Sequence, residues 1–437
     1  MPQLPRDPAP DRSVTMRTTL GPGTTDDLVA VVEATLDAHA ARRRRGAWSG
    51  RQPVHTVYVP ADRVDWGTVA AWGREAIRLL DTHAADPADL AGAVGIDPGR
   101  AGQVRERVTA KLSTEPVEDL RIDFEDGYGV RDDADEDADA ARAAGIAAAQ
   151  DAPAFVGLRV KSFADGHHRR AMRTLDGFVT GVLDATGGTL PDGLVVTFPK
   201  VIAVAHVEAF AGMLERLEQA LGLPERRLVF EIQIETVDSV IGHAGRVTLP
   251  ALVDASGGRL VGAHFGVFDY TAACGLPGDQ QRLDHPACDF ARHVMQVTLA
   301  GTGVRLSDGS TNRAPSDDAR DAVHAVWAHH AGLVRHSLAH GFYQGWDMHP
   351  SHLVSRFATV HAFHLSHLDD TIARLAAWSA MRDSTAGGGD GGVVDEPATI
   401  RALLASLRRA VDCGAIDAQT AYAAGGLDPD AGNDANA

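Results

Sequence analysis

The amino-acid sequence predicts an α/β protein built on a closed (β/α)8 barrel, the TIM-barrel fold, with helical segments added at both ends. Short runs rich in apolar residues recur about every 35–40 residues, and sequence with helical periodicity separates them. This alternation is typical of a parallel sheet with crossover helices, and eight such units suit a closed barrel. An open doubly wound sheet is the alternative, but no glycine-rich phosphate loop follows the first run.

The chain ahead of the barrel, residues 1–50, is predicted to be an arm followed by a helix. Residues 24–45 have helical spacing of apolar positions such as Leu28, Val31 and Val32, and acidic residues occupy the first turn. The barrel itself is assigned to residues 51–355. Two or more helices are expected over 65–112, with breaks at the proline-containing positions 86–87 and 97–99.

Eight strands are predicted within the barrel from their apolar and β-branched composition. They are residues 54–60, 120–126, 155–160, 194–200, 228–234, 260–268, 303–306 and 341–350, the last with its exit loop. Residues 356–437 are predicted to be a C-terminal helical extension with a glycine-rich linker at 387–392 and a polar tail. A lid, a dimer arm and packing against the barrel are all open interpretations of this extension.

Composition restricts the class of protein. The chain has 437 residues, 44% hydrophobic and 23% charged, as ordinary globular proteins do. The formal net charge of −18 argues against binding to nucleic acid or to an anionic membrane. No apolar run approaches the roughly 18 residues of a membrane span, and the three cysteines show no disulfide or metal spacing. We therefore expect a soluble cytoplasmic protein.

Two of the predicted strands each end in a carboxylate. Glu235 follows the fifth strand and Asp269 the sixth, with about one helix of chain between the strands. If these strands are parallel neighbours, both carboxylates leave the same edge of the sheet and repel each other unless a cation lies between them. A hard divalent ion such as Mg²⁺ suits carboxylate and water oxygens. The sequence therefore predicts a magnesium site at this edge.

Charged side chains follow most of the other strands as well, at the ends where barrel enzymes carry their active sites. They are Asp123, Glu125, Asp126, Arg159, Lys161, Lys200 and His349. A single acid at a strand end is more often a helix N-cap than a ligand. Such residues at six of eight strand ends are harder to explain by capping, and the set combines carboxylates for a cation with Arg and Lys for an anionic substrate.

Six short motifs occur in order along the chain. They are Asp123-Phe124-Glu125-Asp126, Leu158-Arg159-Val160, Phe198-Pro199-Lys200-Val201, Ile234-Glu235-Thr236, Phe265-Gly266-Val267-Phe268-Asp269-Tyr270 and Trp346-Asp347-Met348-His349-Pro350. In this order they resemble the citrate lyase β-subunit and malate synthase superfamily, with the HpcH/HpaI aldolases as wider relatives. The resemblance covers about residues 54–355.

The resemblance implies a Mg²⁺- or Mn²⁺-dependent carbon–carbon lyase or aldolase that acts on a small 2-oxo acid or its aldol adduct. It implies that Glu235 and Asp269 hold the metal and that Arg159 contacts the oxo acid oxygen where negative charge develops. The roles that the resemblance implies for other residues are catalytic for Asp123, Glu125 and Lys200, and substrate-binding for Asp126, Gly266 and His349. A homo-oligomer and an acyl-CoA partner are further expectations.

The chain also departs from the family pattern. CoA-using relatives take their general base from an aspartate on a C-terminal lid, and here no motif identifies it. The possible positions are Asp383, Asp390, Asp395 and Asp412. No CoA-binding fingerprint is recognisable either, so thioester dependence stays open.

Three other interpretations have a basis in the sequence. Lys200 at a strand end suits a metal-free Schiff-base aldolase, although the carboxylate pair would then be unexplained. A barrel that binds a ligand or assembles without catalysis would fit the absence of a base motif. His361, His364 and His367 repeat every three residues and resemble a zinc site, but zinc ligands on a helix are usually spaced i, i+4, so a polar surface face is the favoured interpretation.

Overall fold

The computed structural model describes residues 19, 22–44, 50–383, 396–419 and 421. Its strands are β1 His55–Pro60, β2 Asp119–Asp123, β3 Phe155–Arg159, β4 Val195–Phe198, β5 Val229–Ile234, β6 Leu260–Phe265, β7 Arg305–Ser307 and β8 Gly345–Asp347. All pair in parallel in chain order, and β1 also pairs with β8. A parallel bridge between Ser307 and Gln344 closes the circle. The predicted TIM barrel is confirmed.

Helices surround the barrel and extend it at both ends. They are α1 Pro22–Arg44, α2 Thr68–His83, α3 Pro87–Val94, α4 Ala101–Thr114, α5 Asp133–Ala147, α6 His168–Thr186, α7 Val204–Leu221, α8 Val237–Val240, α9 Leu249–Ala255, α10 Val267–Ala273, α11 Pro286–Leu299, α12 Arg320–Ala339, α13 Pro350–Asp383 and α14 Pro397–Asp412. The predicted breaks after β1 are confirmed: Asp86 and Asp97 accept hydrogen bonds from Ala88 N and Gly99 N, which caps the next helical segment in each case.

The two faces of the strands differ in polarity. Outward-facing rings pack under the helices, where Phe198 and Phe210 stack with centroids 4.4 Å apart. Inward-facing positions carry polar side chains, shown by contacts that cross the barrel: Arg121 of β2 reaches Glu231 of β5, with Nε 3.1 Å from Oε1. The barrel is therefore filled by a hydrogen-bonded polar core and sealed outside by an apolar shell.

The C-terminal helices lie along the barrel and at its amino-terminal end. Helix α13 packs beside α2, α4 and α12, and α14 packs on α13. A cavity of about 440 Å³ separates α14 from the barrel; Gln52 and Tyr343, just ahead of β1 and β8, line it together with Arg408 and Asp412. Helix α14 therefore lies opposite the carboxyl ends of the strands. In this chain it is not a lid over its own predicted active site.

The histidine repeat on α13 is not a surface face, so that interpretation was wrong. His361 and His364 are buried and only His367 is exposed. His361 Nε2 lies 3.1 Å from the carbonyl oxygen of Cys413, which joins α13 to the end of α14. Burial lowers the pKa of His361 to about 4 and that of His364 to about 3. Both are neutral packing residues at physiological pH.

Helix α1 confirms the predicted N-terminal helix, and its described side chains, residues 23–37, are all exposed. Within the described residues, every helix falls short of the length and apolar character needed to cross a membrane. The division at residues 50 and 355 stays a prediction, and α13 runs continuously across the second boundary.

Candidate active site at the carboxyl ends of the strands

A cavity of about 470 Å³ opens at the carboxyl ends of the strands. Its lining comes from the ends of seven strands and the segments that follow them: Tyr58, Pro60, Asp123, Asp126, Gly127, Arg159, Glu235, Gly266, Val267, Phe268, Asp269, Ser310, Trp346 and Met348. The volume falls within the range of about 300–1,000 Å³ that is usual for small-molecule sites. Six of the predicted site residues line this one cavity.

Arg159 is the buried cation of the site and Asp123 fixes its orientation. The Nε and Nη2 atoms of Arg159 donate to the two carboxylate oxygens of Asp123 at 2.6 and 2.7 Å. Asp123 also accepts from the backbone N–H groups of Glu125 and Gly127 at 2.9 and 3.0 Å. Because both Asp123 oxygens are committed in this way, its carboxylate holds the guanidinium in place.

Glu125, Asp126 and Lys200 form a second cluster beside this pair. Lys200 Nζ donates to Glu125 Oε1 at 2.5 Å and to Asp126 Oδ1 at 2.6 Å. Glu125 Oε2 lies 3.2 Å from Arg159 Nη1, so this carboxylate bridges both cations. Burial raises the pKa of Glu125 to about 7. Although burial opposes it, the two carboxylates raise the pKa of Lys200, and its amine stays charged.

The backbone of Lys200 also positions Glu235. Lys200 has a φ of 47°, in the left-handed region that non-glycine residues rarely adopt. In this conformation its N–H donates to Glu235 Oε1 at 2.7 Å. Strained residues of this kind cluster at functional sites, where surrounding structure holds them. Phe198-Pro199-Lys200, one of the six motifs, thus orients the predicted metal ligand through its main chain.

Glu235 and Asp269 both line the cavity, close enough for each carboxyl group to influence the pKa of the other. Glu235 is buried, and burial reinforced by Glu125 and Asp269 raises its pKa to about 8. Partial burial also raises the pKa of Asp269, which faces the cavity mouth. Both carboxyl groups thus resist ionisation as they stand.

Gly266 makes room for Glu235. A Cβ atom at position 266 would lie 2.4 Å from Glu235 Cβ and 2.7 Å from its Oε2. Two oxygen donors from neighbouring strands, one held by a backbone N–H and packed against a glycine, fit a hard divalent cation: the ion would replace the proton that the pair otherwise needs.

The structure does not bring every predicted residue to the cavity wall. Glu125 and Lys200 support the lining from behind. His349 is half-buried outside the lining and its Nδ1 accepts from Ser351 N at 3.1 Å; its substrate-binding role stays a prediction. Lys161 turns away from the cavity, with Nζ donating to the carbonyl oxygen of Phe124 at 2.7 Å.

Of the four aspartates considered as general bases, Asp412 lies at the opposite end of the barrel. Asp390 and Asp395 lie outside the described residues, and so does the side chain of Asp383.

Sequence reasoning missed the polar layer beneath the cavity. Glu231 accepts from Thr197 Oγ1 at 2.6 Å and lies 2.9 Å from His264 Nε2. The indole Nε1 of Trp346, which lines the cavity, donates to His264 Nδ1 at 3.1 Å. Glu231 lies on β5 and Glu235, four positions further on, directly follows it, so both side chains point to the inside of the barrel. This period-two spacing of polar residues inside apparently apolar strands is the signal that could have revealed the layer.

Asp347, in the last of the six motifs, points outward from the barrel into a buried cluster. Its carboxylate lies 2.8 Å from Arg356 Nη2 and 2.8 Å from His55 Nδ1. His330 and His352 complete a set that could hold a metal by proximity alone. However, His352 Nδ1 accepts from Met348 N and its Nε2 lies 2.7 Å from the carbonyl oxygen of Arg313. Because both ring nitrogens are committed, the cluster is a structural tie between β8 and its flanking helices.

The fold and this site define a TIM-barrel protein with a carboxylate and arginine cluster at the carboxyl ends of its strands. The chain belongs to the family described as "Domain of unknown function (DUF6986)", whose model matches residues 33–433. No curated protein sequence matches the chain.

Among solved structures, the chain is similar to malate synthase of Haloferax volcanii in two forms. The native form at 3 mM glyoxylate is 14% identical, with 76% of this chain and 87% of that chain covered and a TM-score of 0.48. The magnesium/glyoxylate complex is 14% identical, with 87% and 93% covered and a TM-score of 0.46.

An HpcH/HpaI aldolase/citrate lyase family protein from Burkholderia cenocepacia J2315 is 13% identical, with 75% and 99% covered and a TM-score of 0.39. These names fall within the superfamily that the six motifs resemble.

Proposed function

We propose that this chain is an enzyme that makes or breaks a carbon–carbon bond beside the carbonyl group of a small 2-oxo acid. Glu235 and Asp269 would hold a divalent cation, Mg²⁺ or Mn²⁺. The observation that carries the proposal is that these two carboxyl groups line one cavity together with a buried arginine. When bound, such an ion polarises a carbonyl oxygen and stabilises negative charge on it.

Arg159 supplies the second positive charge. It stays ionised, and its planar guanidinium suits the paired oxygens of a 2-oxo acid. Its bidentate contact with Asp123 fixes the plane of the group before substrate binds. Oriented charge of this kind needs no rearrangement during the reaction, which is the main source of electrostatic catalysis.

Aromatic side chains enclose Arg159 and lower the local polarity. The ring centroids of Tyr58 and Trp346 lie 5.1 and 6.0 Å from the guanidinium carbon. Val267 and Phe268 add apolar surface to the cavity wall. Excluding water here strengthens the attraction between Arg159 and a developing oxyanion. The cavity volume leaves room for an aldol adduct or for two small fragments side by side.

The contacts of Lys200 disfavour the metal-free Schiff-base alternative. A Schiff base forms from a neutral amine, and the amine of such lysines is activated by an apolar pocket or a cationic neighbour. Lys200 instead lies between Glu125 and Asp126, whose carboxylates keep its amine charged. We assign Lys200 and Glu125 to the support of Arg159 and Glu235, and Asp126 to the substrate-facing rim.

The test is a screen for carbon–carbon bond cleavage of 4-hydroxy-2-oxo acids and for condensation of glyoxylate, pyruvate or oxaloacetate, each with Mg²⁺ and with or without acyl-CoA thioesters. Arg159→Lys should lower kcat by about 10²–10³-fold, the loss typical of one oxyanion-stabilising group. Arg173→Lys is the matched control, because Arg173 is exposed and paired with Asp137 on the outer helices.

Turnover that survives both EDTA and the Arg159→Lys exchange would contradict the proposed chemistry. Binding of metal and 2-oxo acid without turnover in any of these reactions would favour the ligand-binding barrel instead.

A further inference from the structure

We infer that the chain has a second metal site, on the outside of the barrel between α11 and α12, for a borderline divalent ion such as Zn²⁺. The ligands would be Asp289, His336 and His340. One oxygen or nitrogen from each lies within 4.8 Å of the others. None of these residues belongs to the cavity or to any of the six motifs.

The sequence spacing suits such a site. His336 lies in the last turn of α12 and His340, four positions further on, is the C-cap residue, so the two lie one above the other at the end of the helix. Two histidines at i, i+4 together with a carboxylate from elsewhere form a common ligand set for zinc, and imidazole favours ions of this class over Mg²⁺.

The distances suit a tetrahedral ion. Asp289 Oδ1 lies 2.8 Å from His336 Nε2 and 3.7 Å from His340 Nε2. Ligand atoms bound to zinc at about 2.0–2.1 Å are about 3.3 Å apart, between these two values. An ion placed among them would replace the direct contact between His336 and Asp289. All three side chains are about one quarter exposed, which leaves a path from solvent.

Neighbouring groups already orient the ligands as a metal site requires. His340 Nδ1 lies 2.9 Å from the carbonyl oxygen of His336, which directs Nε2 toward Asp289. Metal-bound histidines usually donate their other ring N–H to such an acceptor. Arg292 Nη1 donates to Asp289 Oδ1 at 2.7 Å and fixes the carboxylate, while the Arg292 charge is balanced by Asp308 at 2.9 Å.

Calorimetry with ZnCl₂ tests this site on metal-free protein without an affinity tag, at about pH 7.5, where ordinary imidazole is neutral. Millimolar Mg²⁺ is included in the buffer to compete with Zn²⁺ for the carboxylate pair of the cavity. We expect one Zn²⁺ per chain and a higher Tm with Zn²⁺. His340→Asn should weaken Zn²⁺ binding by at least about tenfold, and His336→Asn/His340→Asn should abolish both effects.

The control variant is His367→Asn, which alters an exposed histidine of α13 and should bind Zn²⁺ as the wild type does. Glu235→Gln should also retain this binding, so failure here and failure of the proposed function can be told apart. Absence of Zn²⁺ binding, or binding that persists in the double variant and disappears in Glu235→Gln, would overturn the inference. In that case Asp289, His336 and His340 form only a polar bridge between the helices.

Discussion

Replacing Gly266 by alanine tests how closely the backbone after β6 supports Glu235. The backbone at Gly266 has φ −101° and ψ 95°, which any residue adopts, so the exchange introduces a steric contact alone. The added carbon would lie 2.4 Å from Glu235 Cβ, whereas ordinary contact begins at 3.4 Å. Glu235 must therefore move by about 1 Å, and overpacking of this kind costs about 1–3 kcal/mol of folding free energy.

We expect Gly266→Ala to lower Mn²⁺ affinity about 10- to 100-fold, the loss typical when a group that positions a metal ligand is disturbed. Calorimetric titration with Mn²⁺ measures the affinity of the site for the ion. Urea unfolding of the same preparation measures the free energy of unfolding. Gly177→Ala is the control: it lies on the exposed face of α6, and beyond the adjoining helix backbone no described atom would come within 4 Å of the new carbon. Unchanged Mn²⁺ affinity in folded Gly266→Ala protein would refute the placement of the ion beside Glu235.

Three further predictions concern the titration and position of single residues. In EDTA, the raised pKa of Glu235 means that the folded protein keeps a proton that the unfolded chain loses, so stability should fall as the pH rises from 4.5 toward about 8. Glu235→Gln should reduce that fall by up to several kcal/mol, at about 1.4 kcal/mol per pKa unit; parallel urea-unfolding profiles from pH 5 to pH 8 would contradict this. Borohydride with pyruvate should give no adduct at Lys200 by mass spectrometry, and a stable adduct would restore the Schiff-base mechanism. Asp412→Asn should leave kcat unchanged, because Asp412 lies at the amino-terminal end of the barrel; a large loss of kcat would mean that α14 reaches an active site.

The barrel and the composition of its cavity were predictable because both follow from local pattern. Strand and helix periodicity gave the eight units, and the rule that parallel strands end at one edge brought Asp123, Arg159, Glu235 and Asp269 together. The cavity contains all four. Their roles in binding and catalysis stay proposals.

The polar core of the barrel was not predictable from one strand at a time. Arg121 and Glu231 were read as parts of buried apolar runs, since nothing within a single run says which face points inward. Their pairing at 3.1 Å across the barrel exists only after β2 and β5 have been placed on opposite walls. A buried charge is tolerated there because its partner and further hydrogen bonds are supplied by distant strands.

The placement of the C-terminal helices could not be predicted from sequence for the same reason, because it depends on tertiary contacts. Helical spacing alone suggested a polar face for His361 and His364, but α14 covers the end of the barrel and the contact of His361 with the Cys413 carbonyl buries that face. Whether an amphipathic helix serves as lid or as packing is decided by the surface that it meets, which lies far away in sequence.

The most direct test of the central proposal is calorimetric titration of Mg²⁺ into the metal-free protein with and without a 2-oxo acid, in wild type and in Glu235→Gln. We predict that glyoxylate, pyruvate or oxaloacetate strengthens Mg²⁺ binding, because the ion and Arg159 would share the oxygens of the bound acid. We also predict that Glu235→Gln loses this binding. Absence of Mg²⁺ binding in the wild type, with every acid tested, would contradict the account.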